Sequence, residues 1–120
     1  MSGYEIQRTP FIVPTTDGKW IEEHFGQASK GDRDLSLARM VAPPGWSEPF
    51  QTARFDEYTL VIRGRKMVEI GEERIVLEKG SSILVRQGTR VRYSNPFGDE
   101  TEYVSLCVPA FSPERVHREI

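Results

Sequence analysis

Residues 45–64 read GWSEPFQTARFDEYTLVIRG, and the reading of this stretch decides the fold. Alternate residues of an extended strand face the same side, so Glu57, Thr59 and Val61 share one face, and the pair Gln51 and Ala53 shares another. Gly64 then opens a tight reversal, where a residue free to adopt positive φ is useful.

Working outward, glycine and proline punctuate the chain at short intervals. Between them lie runs rich in Val, Ile, Leu, Tyr and Thr: LSLARMV (35–41), DEYTLVI (56–62), KMVEI (66–70), RIVLE (74–78), SSILV (81–85), TRVRYS (89–94) and TEYVSLCV (101–108). Strands of this length and spacing predict an all-β sandwich or barrel. KMVEI and RIVLE read as a hairpin closed through Gly71-Glu72-Glu73. In TRVRYS, Val91 and Tyr93 share one face while Arg90 and Arg92 share the other. Ser112-Pro113-Glu114 reads either as the start of one short C-terminal helix, with serine as N-cap, or as part of a loosely ordered tail.

The chain of 120 residues predicts one domain, with 38% hydrophobic and 28% charged residues as in an ordinary globular protein. A net charge of −2 gives no footprint for nucleic acid or an anionic membrane. Cys107 is the single cysteine, so no intramolecular disulfide forms and a reducing compartment is the simpler expectation. No apolar run is long enough for a membrane span, and MSGYEIQRTP lacks the apolar core of a signal peptide, so a cytoplasmic protein is expected.

Gly45, Gln51, Ala53, Glu57 and Gly64 stand at spacings that resemble the first cupin motif. Gly80, Arg86, Gly88, Val91 and Asn95 resemble the second. The resemblance spans roughly residues 35 to 109, and the whole chain is similar to small single-domain cupins of the ethanolamine-utilization type. It implies an antiparallel jelly-roll β-barrel enclosing a cavity open at one end. It divides the chain into N-terminal strands (1–34), a cupin core (35–109) and a C-terminal tail (110–120). It also implies a homodimer, with segment 1–25 serving assembly.

The family's metal-ligand positions are held here by Gln51, Ala53, Glu57 and Val91. Ala53 and Val91 cannot coordinate, and a glutamine oxygen with one carboxylate is a poor set for metals that favour imidazole. The two histidines, His24 and His117, lie outside both motifs. No metal or other cofactor is therefore expected, with a divergent metal site using Gln51, Glu57 and one of these histidines as the rival.

Without a metal, the pocket centres on Glu57 and Gln51 as candidate catalytic residues. A carboxylate desolvated there suits general acid or base chemistry near neutral pH, and the Gln51 amide suits a carbonyl or enolate oxygen. Thr59, Tyr93, Tyr103, Ser105 and Cys107 are candidate ligand-binding residues by strand parity, and Trp46 and Phe50 by their place before the first motif. Each has a structural rival: an arginine partner for Glu57, barrel-end packing for Trp46 and Phe50, and burial as a small hydrophobe for Cys107. Arg63, Arg65, Arg86, Arg90 and Arg92 could gather into an anion site, but the parity of Arg90 and Arg92 favours a solvated face. Two functional readings follow: a metal-independent isomerase, lyase or cyclase using Glu57, or a non-catalytic cupin that binds or senses a metabolite.

Overall fold

A computed structural model describes residues 3–120. The chain runs through β1 (Phe11–Ile12), β2 (Trp20–Phe25), the short helix α1 (Gln27–Lys30), β3 (Ser36–Ala42), β4 (Gln51–Ala53) and β5 (Asp56–Arg63). It continues through β6 (Arg65–Ile70), β7 (Glu73–Glu78), β8 (Ser82–Val85), β9 (Arg90–Ser94), β10 (Thr101–Val108), a 3-10 turn (Pro113–Arg115) and β11 (Val116–Arg118). These form two antiparallel sheets, of order β1-β2-β3-β10-β5-β8 and β11-β4-β9-β6-β7. The all-β jelly roll expected from the sequence is present. The sheets face each other, however, without pairing into the closed barrel that was expected.

Every predicted run forms a strand, because each pairs on at least one side and buries alternate residues. In β5 the inward Thr59 and Val61 are buried while Tyr58, Leu60 and Ile62 are exposed. In β10 Thr101, Tyr103, Ser105 and Cys107 all point in. The inner faces meet in a core containing Trp46, Val61, Val68, Val91, Tyr93 and Tyr103, where each fully buried aliphatic side chain contributes roughly 1.5–3 kcal/mol.

The β6–β7 hairpin is one residue tighter than expected, since Glu73 already pairs with Ile70. Gly71 has φ +59 while among the described residues no non-glycine has positive φ, the pattern of a two-residue turn needing positive φ at its first position only. Between β5 and β6, Gly64 sits at φ +76, and a Cβ there would strike the Glu100 carbonyl oxygen.

At the C-terminus the expected helix is a single 3-10 turn. Ser112 occupies its N-cap position without a side-chain capping bond. The tail that follows is a strand: β11 pairs with β4, matching Val116 to Ala53 and Arg118 to Gln51. Among the described residues no helix is long and apolar enough to cross a membrane.

Candidate functional site

The space between the sheets is a cavity of about 330 Å³. One sheet supplies Glu57 from β5 with Tyr103, Ser105 and Cys107 from β10, where Cys107 pairs directly with Glu57. The other supplies Gln51 from β4, Lys66 from β6 and Tyr93 from β9. The β1–β2 connection brings Lys19 to the wall, the β3–β4 connection brings Glu48, and β11 brings Arg118.

Ser105 Oγ donates to Glu57 Oε2 at 2.5 Å and lies 3.9 Å from Cys107 Sγ. The first distance is that of a strong, charge-assisted bond. Across the cavity, the Lys66 Nζ sits 3.5 Å from the Tyr103 ring centroid and 4.3 Å from that of Tyr93. Lys66 is 2% exposed and, among the described residues, has no carboxylate at ion-pair distance. Burial disfavours its ammonium and the neighbouring Lys19 adds repulsion, so its pKa falls to about 7 despite the opposing pull of Glu57 and Glu48.

Lys19 behaves differently. Burial opposes its charge too, but Tyr103 and Glu48 outweigh that and push its pKa up. Burial raises the Glu48 carboxyl, with Lys19, Arg118 and Lys66 opposing. Burial and the Glu57 carboxylate hold the Tyr93 hydroxyl far above its usual range, and raise the Cys107 thiol to about 12. At that value Cys107 is no activated nucleophile.

The Tyr93 and Tyr103 hydroxyls are buried and, among the described residues, reach no partner at full hydrogen-bond geometry, although Tyr93 interacts with Glu57 and Tyr103 with Lys19. A buried hydroxyl left with no partner at all costs about 1–3 kcal/mol, and a polar ligand in the cavity would complete the hydrogen bonding of these two. On the cavity wall, Arg118 Nε donates to Gln51 Oε1 at 3.4 Å.

Of the residues singled out from the sequence, Gln51, Glu57, Tyr93, Tyr103, Ser105 and Cys107 come together on the cavity wall. Trp46, Phe50 and Thr59 do not. Trp46 is buried in the core, its indole N–H donating to Asp17 Oδ2 at 2.7 Å. Phe50 lies beneath the Arg90 guanidinium, 3.8 Å from the ring centroid. Thr59 is inward and buried but outside the wall. The arginines do not gather: Arg63 meets Glu100 and Glu102, Arg90 meets Glu119, and Arg92 meets Glu69.

The residues at the family's ligand positions do not fit a transition metal. Ala53 and Val91 are packed in apolar clusters, His24 lies 3.4 Å from Glu22, and His117 is exposed on β11. Among the described residues no three His, Cys, Asp or Glu side chains converge as a metal-binding group.

The sequence reading missed Lys19, Glu48, Lys66 and Arg118. Lys66 had a signal, since in KMVEI it shares its parity with Val68 and Ile70. The other three sit in connections or a three-residue strand, where no periodicity places a side chain.

A two-sheet antiparallel jelly roll with an internal polar cavity defines the class. Within it, the chain belongs to the cupin domain family, which it matches over residues 38–108. It is 43% identical over 108 residues to a protein of Myxococcus xanthus strain DK1622 named endoribonuclease YbeY. That match covers 90% of this chain but 37% of the relative, so this chain spans little more than a third of its length. Among solved structures it is similar to Streptomyces Pac13 with uridine, at a TM-score of 0.77 and 16% identity, over 100% of this chain and 92% of that one. It is also similar to the Clostridium difficile EutQ protein, at a TM-score of 0.63 and 20% identity, over 77% and 63% of the respective chains.

Proposed function

We propose that this cupin binds a small carbonyl compound in its cavity and moves a proton on it, as an isomerase, lyase or cyclase, without a resident metal. The observation that carries this reading is the placement of Glu57 and Lys66 on opposite sheets around one cavity that Tyr93 and Tyr103 also line. In this reading Glu57 takes or returns a proton next to the carbonyl. Lys66 and Tyr93 balance the charge that develops on oxygen, and Gln51 orients the substrate. Pac13, described as a nucleoside dehydratase and solved with uridine, supports a lyase reaction as one member of this class. The endoribonuclease activity named for the M. xanthus relative is not part of this reading, because a net charge of −2 offers RNA no electrostatic footprint.

The test is a metabolite screen by thermal shift, followed by Glu57→Gln. Turnover should fall roughly 10²–10⁴-fold while binding is largely kept. Unchanged turnover would remove Glu57 from the chemistry.

The 2.5 Å bond from Ser105 to Glu57 favours a second reading, a non-catalytic metabolite-binding or sensor cupin in which Glu57 is held as an acceptor. There Glu57→Gln would change affinity alone. For the metal, elemental analysis of untagged protein should give well below one equivalent. Near-stoichiometric content of a single metal would overturn this part of the proposal. We further propose a homodimer.

A further inference from the structure

We infer that Lys66 is a nucleophilic amine, which condenses with an aldehyde or ketone in the cavity to form a protonated imine. This deepens the proton-transfer reading and rests on it, supplying the covalent form of substrate on which Glu57 acts.

The geometry is specific. The Lys66 amine is buried on the cavity wall, held by two phenol rings and by no carboxylate at ion-pair distance among the described residues. A lysine kept only for structure would gain from a bound counter-ion. This one instead faces the cavity, with Glu57 on the opposite sheet and the Tyr93 and Tyr103 rings against its amine. Its pKa of about 7 leaves much of the amine unprotonated near neutrality.

The step balances without an oxidant or reductant. The neutral Nζ lone pair attacks the carbonyl carbon, and the C=O pair moves to oxygen, which takes a proton. The attacking nitrogen, now cationic, releases one proton to give the neutral carbinolamine. After a second protonation the oxygen leaves as water, while the freed nitrogen lone pair closes the C=N bond. The net change is carbonyl plus amine plus one proton giving iminium plus water. The iminium acidifies the adjacent C–H, whose proton passes to Glu57. Where a hydroxyl sits one carbon further, the enamine expels it as water with the proton that Glu57 has taken, and hydrolysis of the resulting iminium then frees the lysine.

The test uses the whole chain with glyceraldehyde, a small hydroxy-aldehyde, and separately with butanal, under cyanoborohydride. Peptide mapping resolves the four lysines, Lys19, Lys30, Lys66 and Lys79. Lys66 should be alkylated at least about tenfold faster than Lys30 or Lys79, since ordinary lysines are almost wholly protonated at pH 7. Its rate should rise through pH 7 and then level. Lys66→Arg, or Lys66→Met if the arginine variant does not fold, should abolish the adduct, whereas Lys79→Arg should not.

Labelling of Lys66 no faster than of Lys30 and Lys79, with both probes, overturns the inference. Deuterium exchange at the glyceraldehyde α-carbon separates the two levels. Exchange lost in Glu57→Gln but kept in the Lys66 variant defeats the imine and leaves proton transfer standing. Absence of both exchange and adduct in the wild type defeats both.

Discussion

Lys66 carries its amine into an interior that offers it two phenol rings and a field from Glu57 and Glu48. That placement costs stability, in a pH-dependent way. The unfolded chain holds the Lys66 proton up to about 10.5, whereas the folded chain releases it near 7. Between these values the unfolded state binds more protons, so folding stability from this group rises with pH. Below pH 7 both states are protonated and the penalty is complete, on the order of a few kcal/mol. Lys66→Met should therefore raise the melting temperature most below pH 7, and the gain should shrink towards pH 10. A gain that is flat with pH would show that the lysine is not desolvated as described. Lys66 could have been found from its parity with Val68, whereas Glu57 was found from the resemblance to the first cupin motif. The electrostatics around it could not, because they depend on Lys19 and Glu48, which reach the cavity from connections with no repeating pattern.

At the scale of elements, turns are set by single glycines, and two of them predict contrasting costs. Gly64 combines φ +76 with a Cβ position blocked by the Glu100 carbonyl oxygen. Gly88 has φ +82 with nothing near its Cβ position. Gly88→Ala should cost only the left-handed backbone penalty, roughly 1–2 kcal/mol. Gly64→Ala must also push β5 and β6 away from the start of β10, and should cost clearly more in urea denaturation. Equal costs would mean that the Glu100 backbone yields freely. Seven strands were legible in the sequence because turn residues bound them and apolar residues alternate within them. β11 was not legible, since VHR is short and polar and its pairing with β4 comes from tertiary contact. The same contact carries Arg118 to Gln51, so the tail that reads as loose belongs to the cavity wall.

For the whole molecule, the outer face of the six-stranded sheet carries exposed apolar side chains. Tyr58, Leu60 and Ile62 are each more than 40% exposed on β5, and Leu106 and Val104 of β10 pair beside Tyr58 and Leu60. Arg39, bridging Glu22 and Glu102, borders this band with charges already balanced within the sheet. A contiguous apolar patch inside a polar rim is suited to association, and a second copy would bring the same patch and the same rim. Ile12, opposite Glu22, and Trp20, opposite Val41, are exposed on this same face towards the β1 edge, which brings β1 and β2 to the proposed dimer face. Leu60→Glu combined with Tyr58→Glu should shift the sedimenting species from dimer to monomer. Because both side chains point away from the cavity, ligand binding should persist in the separated subunits. A wild-type chain that sediments as a monomer at micromolar concentration would remove the dimer. A variant that remains dimeric would instead place the contact elsewhere, with the β1 edge the next strand to substitute.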